Sequence, residues 1–358
     1  MKTILVTGGC GFIGSHFLRL LHRLKSWKVV NLDNLTYAGN MENLKDIEDN
    51  KNYLFVKGDI CDRVLLDKLF KEQRFRSVVN FAAESHVDRS IMDSEPFLRT
   101  NVIGVQALLE ASRLNGIERF LQISTDEVYG DADGKEPFIE ISPLCPSSPY
   151  AASKAAADLM CLAYHHTHGV PVIIARSSNN YGPYQFPEKL IPLMIRNGLT
   201  GRDLPVYGDG MHQRDWLYVE DNVEAILQIL DEGKIGSIYN VGTGEERTNQ
   251  DVIHLVCRLL AEEAGLQLDE LTFAIKSVTD RPGHDRRYAL NTKKIREELG
   301  WFHRTRFDLG LKKSISWYSK NLDWVKRVTT GEYEKYYDSV YLDAWGKNPR
   351  YDKDSCNR

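Results

Sequence analysis

Ile4-Leu5-Val6-Thr7-Gly8-Gly9-Cys10-Gly11-Phe12-Ile13-Gly14 is the stretch that decides the fold. A short apolar run gives way to glycines, and from Ser15 to Leu24 the apolar residues fall at helical spacing, which reads as strand, tight turn, helix. Gly8, Gly11 and Gly14 stand in a G-x-x-G-x-x-G arrangement. The first two let the backbone turn and approach a pyrophosphate, and the third lets helix and strand pack closely, with the helix N-terminus facing the negative charge. Such turns also occur with no nucleotide, so the next strand matters. Val29-Val30-Asn31-Leu32 ends at Asp33, close to the ~20 residues beyond the last glycine at which a carboxylate reaches an adenine ribose. A carboxylate there favours NAD over NADP, because it repels a 2′-phosphate.

Working outward, Tyr53 to Lys57 and Val78 to Phe81 read as further strands, the second ending in the small residues Ala82 and Ala83, against which a flat cofactor can lie. A helical segment from Pro96 to Leu114 separates them from Phe120-Leu121-Gln122-Ile123-Ser124, another buried strand. A loop with Pro137, Pro143, Pro146 and Pro149 follows. It closes on Ser148-Pro149-Tyr150, a helix start with Ser as N-cap and Pro in the first turn, and Ala-rich sequence carries that helix to Tyr164. Val172 to Ala175 is the next strand. Strands alternating with helices predict an α/β fold: a Rossmann-type doubly wound parallel sheet with a smaller C-terminal α/β substrate domain. Past Pro183, Gly and Pro punctuate shorter elements, and the basic residues Lys189, Arg196, Arg202, Arg214, Arg281, His284, Arg286 and Arg287 concentrate. The expected division is 1–176 for the NAD-binding domain, with some later segments returning to it, 177–328 for the substrate domain, and 329–358 for a tail whose end is a surface segment.

The chain has 358 residues, 42% hydrophobic and 27% charged, with a formal net charge of −4. That argues against a general nucleic-acid or anionic-membrane binder, so an anionic ligand has to be met by a local basic cluster. Six cysteines are scattered without a C-x-x-C pair or a zinc-like His spacing, which predicts reduced thiols, a cytoplasmic setting and no metal. No apolar run approaches the ~20 residues of a membrane helix, and the strand at Ile4 leaves no room for a signal peptide.

The chemistry centres on Ser124-Thr125-Asp126-Glu127 and Tyr150-Ala151-Ala152-Ser153-Lys154. An apolar run that stops at polar groups delivers them to the carboxyl edge of the sheet, where open α/β sheets bind ligands. Tyr150 and Lys154, four apart, share a helix face. A phenol is a poor base near neutrality, but an ammonium beside it and a positive nicotinamide ring stabilise its phenolate, which then takes the proton from an alcohol as hydride leaves for NAD. Thr125 is placed to hydrogen-bond the same hydroxyl. Asp126 and Glu127, on extended backbone, are expected to point apart and flank a ligand. With one carboxyl protonated and the other ionised, they form an acid and base pair able to eliminate water.

These motifs resemble the extended short-chain dehydrogenase/reductases. Ala82-Ala83-Glu84-Ser85-His86-Val87-Asp88-Arg89-Ser90, Asn179-Asn180-Tyr181-Gly182-Pro183, Leu204-Pro205-Val206-Tyr207-Gly208-Asp209-Gly210, Arg214-Asp215-Trp216 and Asp280-Arg281-Pro282-Gly283-His284-Asp285-Arg286-Arg287-Tyr288 are more closely similar to the dTDP-glucose 4,6-dehydratase family. The resemblance runs from residue 2 to about 326. It implies a cycle in which Tyr150, helped by Thr125 and Lys154, deprotonates the glucose C4 hydroxyl while hydride passes to NAD. Glu127 then removes the C5 proton, Asp126 protonates the departing C6 hydroxyl, and hydride returns to C6. It further implies tightly held NAD, regenerated each turn and contacted by Gly8, Gly11, Phe12, Ile13, Gly14, Asp33, Asn34, Leu35, Thr36, Asp59, Ile60, Ala82, Ala83, Ser85, Thr100, Tyr150, Lys154 and Asn180. By the same resemblance the sugar nucleotide, dTDP-glucose, would be held by Ser85, His86, Thr125, Asn179, Glu188, Lys189, Leu190, Pro205, Tyr207, Arg214, Asn249, Arg281, His284 and Tyr288. The same resemblance implies a homodimer, pairing the helices that contain Pro96 to Leu114 and Tyr150 to His166. A UDP-glucose dehydratase and a nucleotide-sugar 4-epimerase stay open as alternatives; an epimerase needs Tyr150 and Lys154 but no base for C5. Cys10 stands where the family usually has alanine, a size increase expected to be tolerated.

Overall fold

Strand by strand, the chain buries alternate residues on opposite faces of one parallel sheet. In the computed structural model, which describes residues 2–329 and 331–342, Ile4 and Val6 enter one core while Leu5 enters the other. Ile173 and Ala175 likewise oppose Val172 and Ile174. Both faces being covered, the strands are continuous apolar runs rather than alternating ones. The strands are β1 (Lys2–Thr7), β2 (Trp27–Asp33), β3 (Tyr53–Lys57), β4 (Ser77–Asn80), β5 (Arg119–Thr125) and β6 (Val172–Ser177). They lie in the order β3-β2-β1-β4-β5-β6, with a seventh, Ile238–Val241, outermost beside β6. Every pairing in this sheet is parallel. The order reverses between β1 and β4, the switch point at which doubly wound sheets bind dinucleotides. Below it, Thr7 donates to Asn80 (2.5 Å) and Asn80 to Gln122 (2.8 Å), a buried polar row that ties β1, β4 and β5 in register.

One face is covered by Phe12–Leu24, Val219–Glu232 and Lys293–Leu299, which contribute Phe17, Leu21, Ile226, Ile229, Ile295 and Leu299. The other is covered by Arg63–Gln73, Val105–Asn115 and Pro149–His168, through Leu69, Phe70, Leu108, Ala157 and Cys161. The single helix expected from Pro96 to Leu114 is instead Glu95–Leu98, a π-turn over Arg99–Gly104, and Val105–Asn115. The wider turn sets Asn101 inward, where its side chain accepts from Glu84 N (2.9 Å) and donates to Glu84 O (3.0 Å) and Ser153 Oγ (2.8 Å). π-turns of this kind are frequent at functional sites.

The described residues divide into two compact units: those up to 180, with 215–245 and 287–305, form the first, and 181–214, 246–286 and those from 306 on form the second. The second unit has a two-stranded parallel sheet, Leu204–Tyr207 with Ile275–Val278. Helix Asn249–Ala264 packs against Leu190–Thr200 and Phe307–Lys320 within it. Its described C-terminal part is packed: Tyr333 and Tyr337 are buried, and Glu334 pairs with Arg196 and Arg202. The surface segment expected at the chain end, from 343 onward, lies outside the described residues. Among the described residues no helix is long and apolar enough to cross a membrane.

Candidate active site

The glycine turn is built for close approach. Gly8 adopts φ +68°, and a Cβ there would stand 2.5 Å from Ala82 N; at Gly14 it would stand 2.3 Å from Gly8 O. Only residues without a side chain let the turn, the loop after β4 and the helix N-terminus converge. Asp33, at the end of β2, accepts the Cys10 amide (2.8 Å) on Oδ2 and the Leu35 amide (2.8 Å) on Oδ1, so its carboxylate fixes both loops that a dinucleotide would contact. Burial, ahead of those stabilising amides, leaves its pKa raised. Leu35 is held at φ +55°, uncommon for a non-glycine residue, between Asn34 and Thr36. Cys10 fits in full burial, accepting from Asn31 Nδ2 (3.4 Å). Burial and then the charge of Asp33 push its thiol far up, so it is inert. Phe12 and Ile13 open the helix after the turn. Asp59 accepts the Cys61 amide (2.8 Å), Ile60 is buried, and Thr100 lies in the π-turn. A side-chain-free cradle, a helix N-terminus and a carboxylate at the second strand fit NAD.

The catalytic candidates meet at the carboxyl end of β5. Thr125, its last residue, caps a 3-10 turn over Asp126–Tyr129: its Oγ1 accepts the Glu127 amide (3.3 Å) and donates to Asp126 Oδ1 (3.2 Å). Asp126 and Glu127 therefore do not lie on extended backbone as expected; the threonine cap closes the chain into a turn at once. At about three residues per turn their side chains still diverge. Asp126 is buried and Glu127 half-buried.

Tyr150 sits in the first turn of Pro149–His168, where Ser148 Oγ accepts the Ala151 amide (3.1 Å) as the N-cap. Its own amide donates to Ser90 Oγ (3.1 Å), and its ring meets Phe97 edge-on at 6.3 Å. Burial first, then the nearby charge of Glu127, drive the phenol well above its usual range, while a hydrogen bond with Thr125 pulls it back. Lys154, 4% exposed, donates from Nζ to the carbonyl of Ile123 at 2.6 Å. Among the described residues it makes no hydrogen bond to Tyr150. Ser85 and His86 enter the helix Val87–Met92, with His86 Nε2 3.9 Å from Asp88. The buried Oδ1 of Asn179 accepts no hydrogen bond among the described residues, and Asn180 donates to Ser178 O (3.0 Å). Tyr288 is buried in the same unit.

The remaining sugar-nucleotide candidates belong to the second unit. Glu188 is buried, Lys189 precedes the helix that Leu190 opens, and Pro205 and Tyr207 lie on one strand. Arg214 gives its terminal nitrogens to the carbonyls of Gln213 (2.7 Å), Arg286 (3.2 Å) and Asp285 (2.8 Å), which anchors the guanidinium. Asn249 keeps a buried Oδ1 that accepts no hydrogen bond among the described residues. His284 Nδ1 meets Asp280 Oδ1 at 2.7 Å, and Tyr207 stands edge-on to its ring. Burial pushes His284 down to about 3, so it is neutral near pH 7. Burial alone would raise Asp280, but hydrogen bonds from His212 and His284 hold it below the carboxylate range. His212 and His284 stack 3.7 Å apart and 14° from parallel. His212, Asp280 and His284 each place a potential ligand atom within 4.8 Å of the other two, a cluster that the expectation of no metal did not foresee. Of the other cations, Arg286 forks onto Asp209 (2.7 and 2.9 Å), and Arg287 holds the carbonyls of Ala132 and Lys135. Arg196 and Arg202 are taken by Glu334. The sequence reading names neither Asn101 nor His212, whose partners, Glu84 and Ser153 for the first and Asp280 for the second, are distant in sequence.

Residues 5–314 match the family model described as GDP-mannose 4,6 dehydratase. The chain is 49% identical over 350 residues to a dTDP-glucose 4,6-dehydratase of Neisseria meningitidis, covering 93% of this chain and 98% of that protein. It is similar to the Bacillus anthracis dTDP-glucose 4,6-dehydratase solved in complex with NAD, at 46% identity and TM-score 0.84 over 92% of this chain and all of that one. It is also similar to the Streptomyces venezuelae dTDP-glucose 4,6-dehydratase solved with NAD and TYD bound, at 44% identity and TM-score 0.86 over 91% of this chain and all of that one. With the dinucleotide cradle, the Thr125 turn and the Tyr150–Lys154 helix in place, the chain belongs to the GDP-mannose 4,6 dehydratase family and, within it, to the dTDP-glucose 4,6-dehydratases.

Proposed function

We propose that this chain is an NAD-dependent hydro-lyase that converts dTDP-glucose to dTDP-4-keto-6-deoxy-glucose. The observation that carries this reading is the capped turn at Thr125, which sets two carboxyls, Asp126 and Glu127, close enough to Tyr150 for both charges to act on its phenol. A scaffold that only oxidises or epimerises C4 has no use for them. NAD, when bound, supplies the hydride acceptor for C4, returns the hydride to C6 and brings a positive ring to the site. Tyr150 takes the proton of the C4 hydroxyl, Thr125 orients that hydroxyl, and the Lys154 ammonium stabilises the phenolate against burial. With a ketone at C4 the C5 proton is acidic; Glu127 removes it, and Asp126 protonates the leaving C6 hydroxyl. We assign the cations of the sugar-nucleotide set, Lys189, Arg214 and Arg281, to the diphosphate. Asn179 and Asn249, each with a buried amide oxygen in need of a donor, are assigned to substrate hydroxyl or N–H groups.

Purified protein given dTDP-glucose and no added cofactor is expected to accumulate a 4-keto-6-deoxy product, because NAD stays bound and is regenerated. Interconversion of glucose and galactose forms without keto sugar would instead establish the epimerase, and turnover only of UDP-glucose the other nucleotide.

The enzyme further reads as a cytoplasmic homodimer. Leu98, Ile103, Leu114 and Leu159, on the helices expected to pair, are 53–61% exposed, an apolar surface suited to a second copy. The described cysteines are all free, in keeping with a reducing compartment. Sedimentation equilibrium is expected to return twice the 41.0 kDa chain mass; a single-chain mass at micromolar concentration excludes the pairing.

A further inference from the structure

One turn beyond Lys154 on the same helix face stands Asp158, fully buried. Its Oδ2 accepts from Arg176 Nε (2.8 Å) and Ser124 Oγ (3.0 Å), while Oδ1 accepts no hydrogen bond among the described residues. Arg176, on β6, is 1% exposed; its guanidinium lies 4.7 Å over the Tyr129 ring and reaches Glu140 O at 3.5 Å. Burying such a pair costs desolvation that well-packed apolar residues would avoid, so stability alone does not account for it. Its position does. Tyr150, Lys154, Asp158 and Arg176 form a buried row whose members bear, in order, a phenol, a positive, a negative and a positive charge.

We propose that Asp158, held by Arg176 and Ser124, is a positioning residue that keeps Lys154 protonated, so that an ammonium is present to stabilise the Tyr150 phenolate. This rests on the role given above to Tyr150 and Lys154. Among the described residues Lys154 makes one hydrogen bond, to the Ile123 carbonyl, which offsets only part of its lost hydration. Burial pushes its pKa down, and the Asp158 carboxylate pushes back. The titratable groups around Asp158 are Tyr150, Lys154 and Cys161 on its own helix, Arg176 on β6, and Tyr129 at the end of the Thr125 turn, with Glu140 beside Tyr129. The Asp158 charge also raises the Tyr150 phenol directly, behind burial, Glu127 and Asp126, so its benefit to the phenolate passes through Lys154. Burial and then Asp158 raise the Cys161 thiol, which therefore stays neutral and leaves Lys154 the titrating neighbour.

The test is the pH profile of kcat with dTDP-glucose. In Asp158→Asn the alkaline limb, set by loss of the Lys154 proton, is expected to move to lower pH by about one unit or more, a tenfold change in the protonation equilibrium, with KM little altered. Because Asp158→Asn strands a buried arginine, Asp158→Leu/Arg176→Met, which leaves no stranded arginine, is measured beside it and should shift the same way. On a Lys154→Met background, adding Asp158→Asn should change kcat less than about twofold, since the two residues then act as one unit. Titration of ε-13C-labelled lysine in the unaltered enzyme should show Lys154 as ammonium at pH 8. An unmoved alkaline limb in a folded, NAD-retaining variant, or a neutral Lys154 amine at pH 8, overturns the proposal. Absence of keto product from the unaltered enzyme strikes the dehydratase reading instead.

Discussion

Tyr150→Phe is expected to lower kcat by ~10²–10⁴, the usual worth of a positioned proton-transfer group, while leaving the fold and bound NAD in place. The ring is the structural part of the residue: it packs with Val87 and Phe97, and Phe preserves that volume. Only the hydroxyl and its hydrogen bond with Thr125 are lost, at about 1 kcal/mol. Mixing the variant with dTDP-glucose and following absorbance at the reduced-nicotinamide band should show no substrate-dependent rise, because the C4 hydroxyl keeps its proton. Near-normal formation of reduced cofactor would move the base to another residue.

Glu127→Gln divides the cycle at its next step. Loss of the C5 base should depress kcat and solvent exchange at C5 by ~10²–10⁴, yet C4 oxidation should survive. After burial, the Glu127 carboxylate is the largest influence raising the Tyr150 phenol. Removing it eases ionisation of Tyr150, so C4 oxidation in the variant should begin at lower pH than in the unaltered enzyme. Mass spectrometry of substrate recovered from deuterated buffer reads the exchange, and stopped-flow absorbance reads the oxidation. Undiminished deuterium at C5 would place the base elsewhere.

Local chemistry made much of this legible in one dimension. The turn at Gly8 was readable because it needs φ +68° and leaves no room for a Cβ, conditions that glycine alone meets freely. The Ser148 cap and Pro149 announced the helix carrying Tyr150 and Lys154, and the i, i+4 spacing put them on one face. The π-turn at Arg99–Gly104 and the 3-10 turn at Asp126–Tyr129 were missed. Each is set by a side chain, Asn101 or Thr125, choosing a backbone partner, and an apolar pattern carries no trace of that choice. Long-range returns were equally hidden. Ile238–Val241 and Lys293–Leu299 complete the first unit after a long excursion, and nothing local in either segment says which edge or face it covers. Arg196 and Arg202, grouped from composition with the phosphate-binding cations, turn out to be occupied by Glu334, more than a hundred residues on.

By itself, then, the sequence determined the parallel doubly wound sheet, the dinucleotide turn and the identity of five polar groups, since each rests on residues close together in the chain whose conformational limits are intrinsic. The tertiary structure alone decided how those groups are charged and aimed. Burial lifts the Tyr150 phenol, the carbonyl of Ile123 takes the Lys154 proton donor, and Asp158 with Arg176 stands beneath them. The reason is physical: the cost of a buried charge depends on every group packed around it, and those groups come from strands and turns that only the fold brings together.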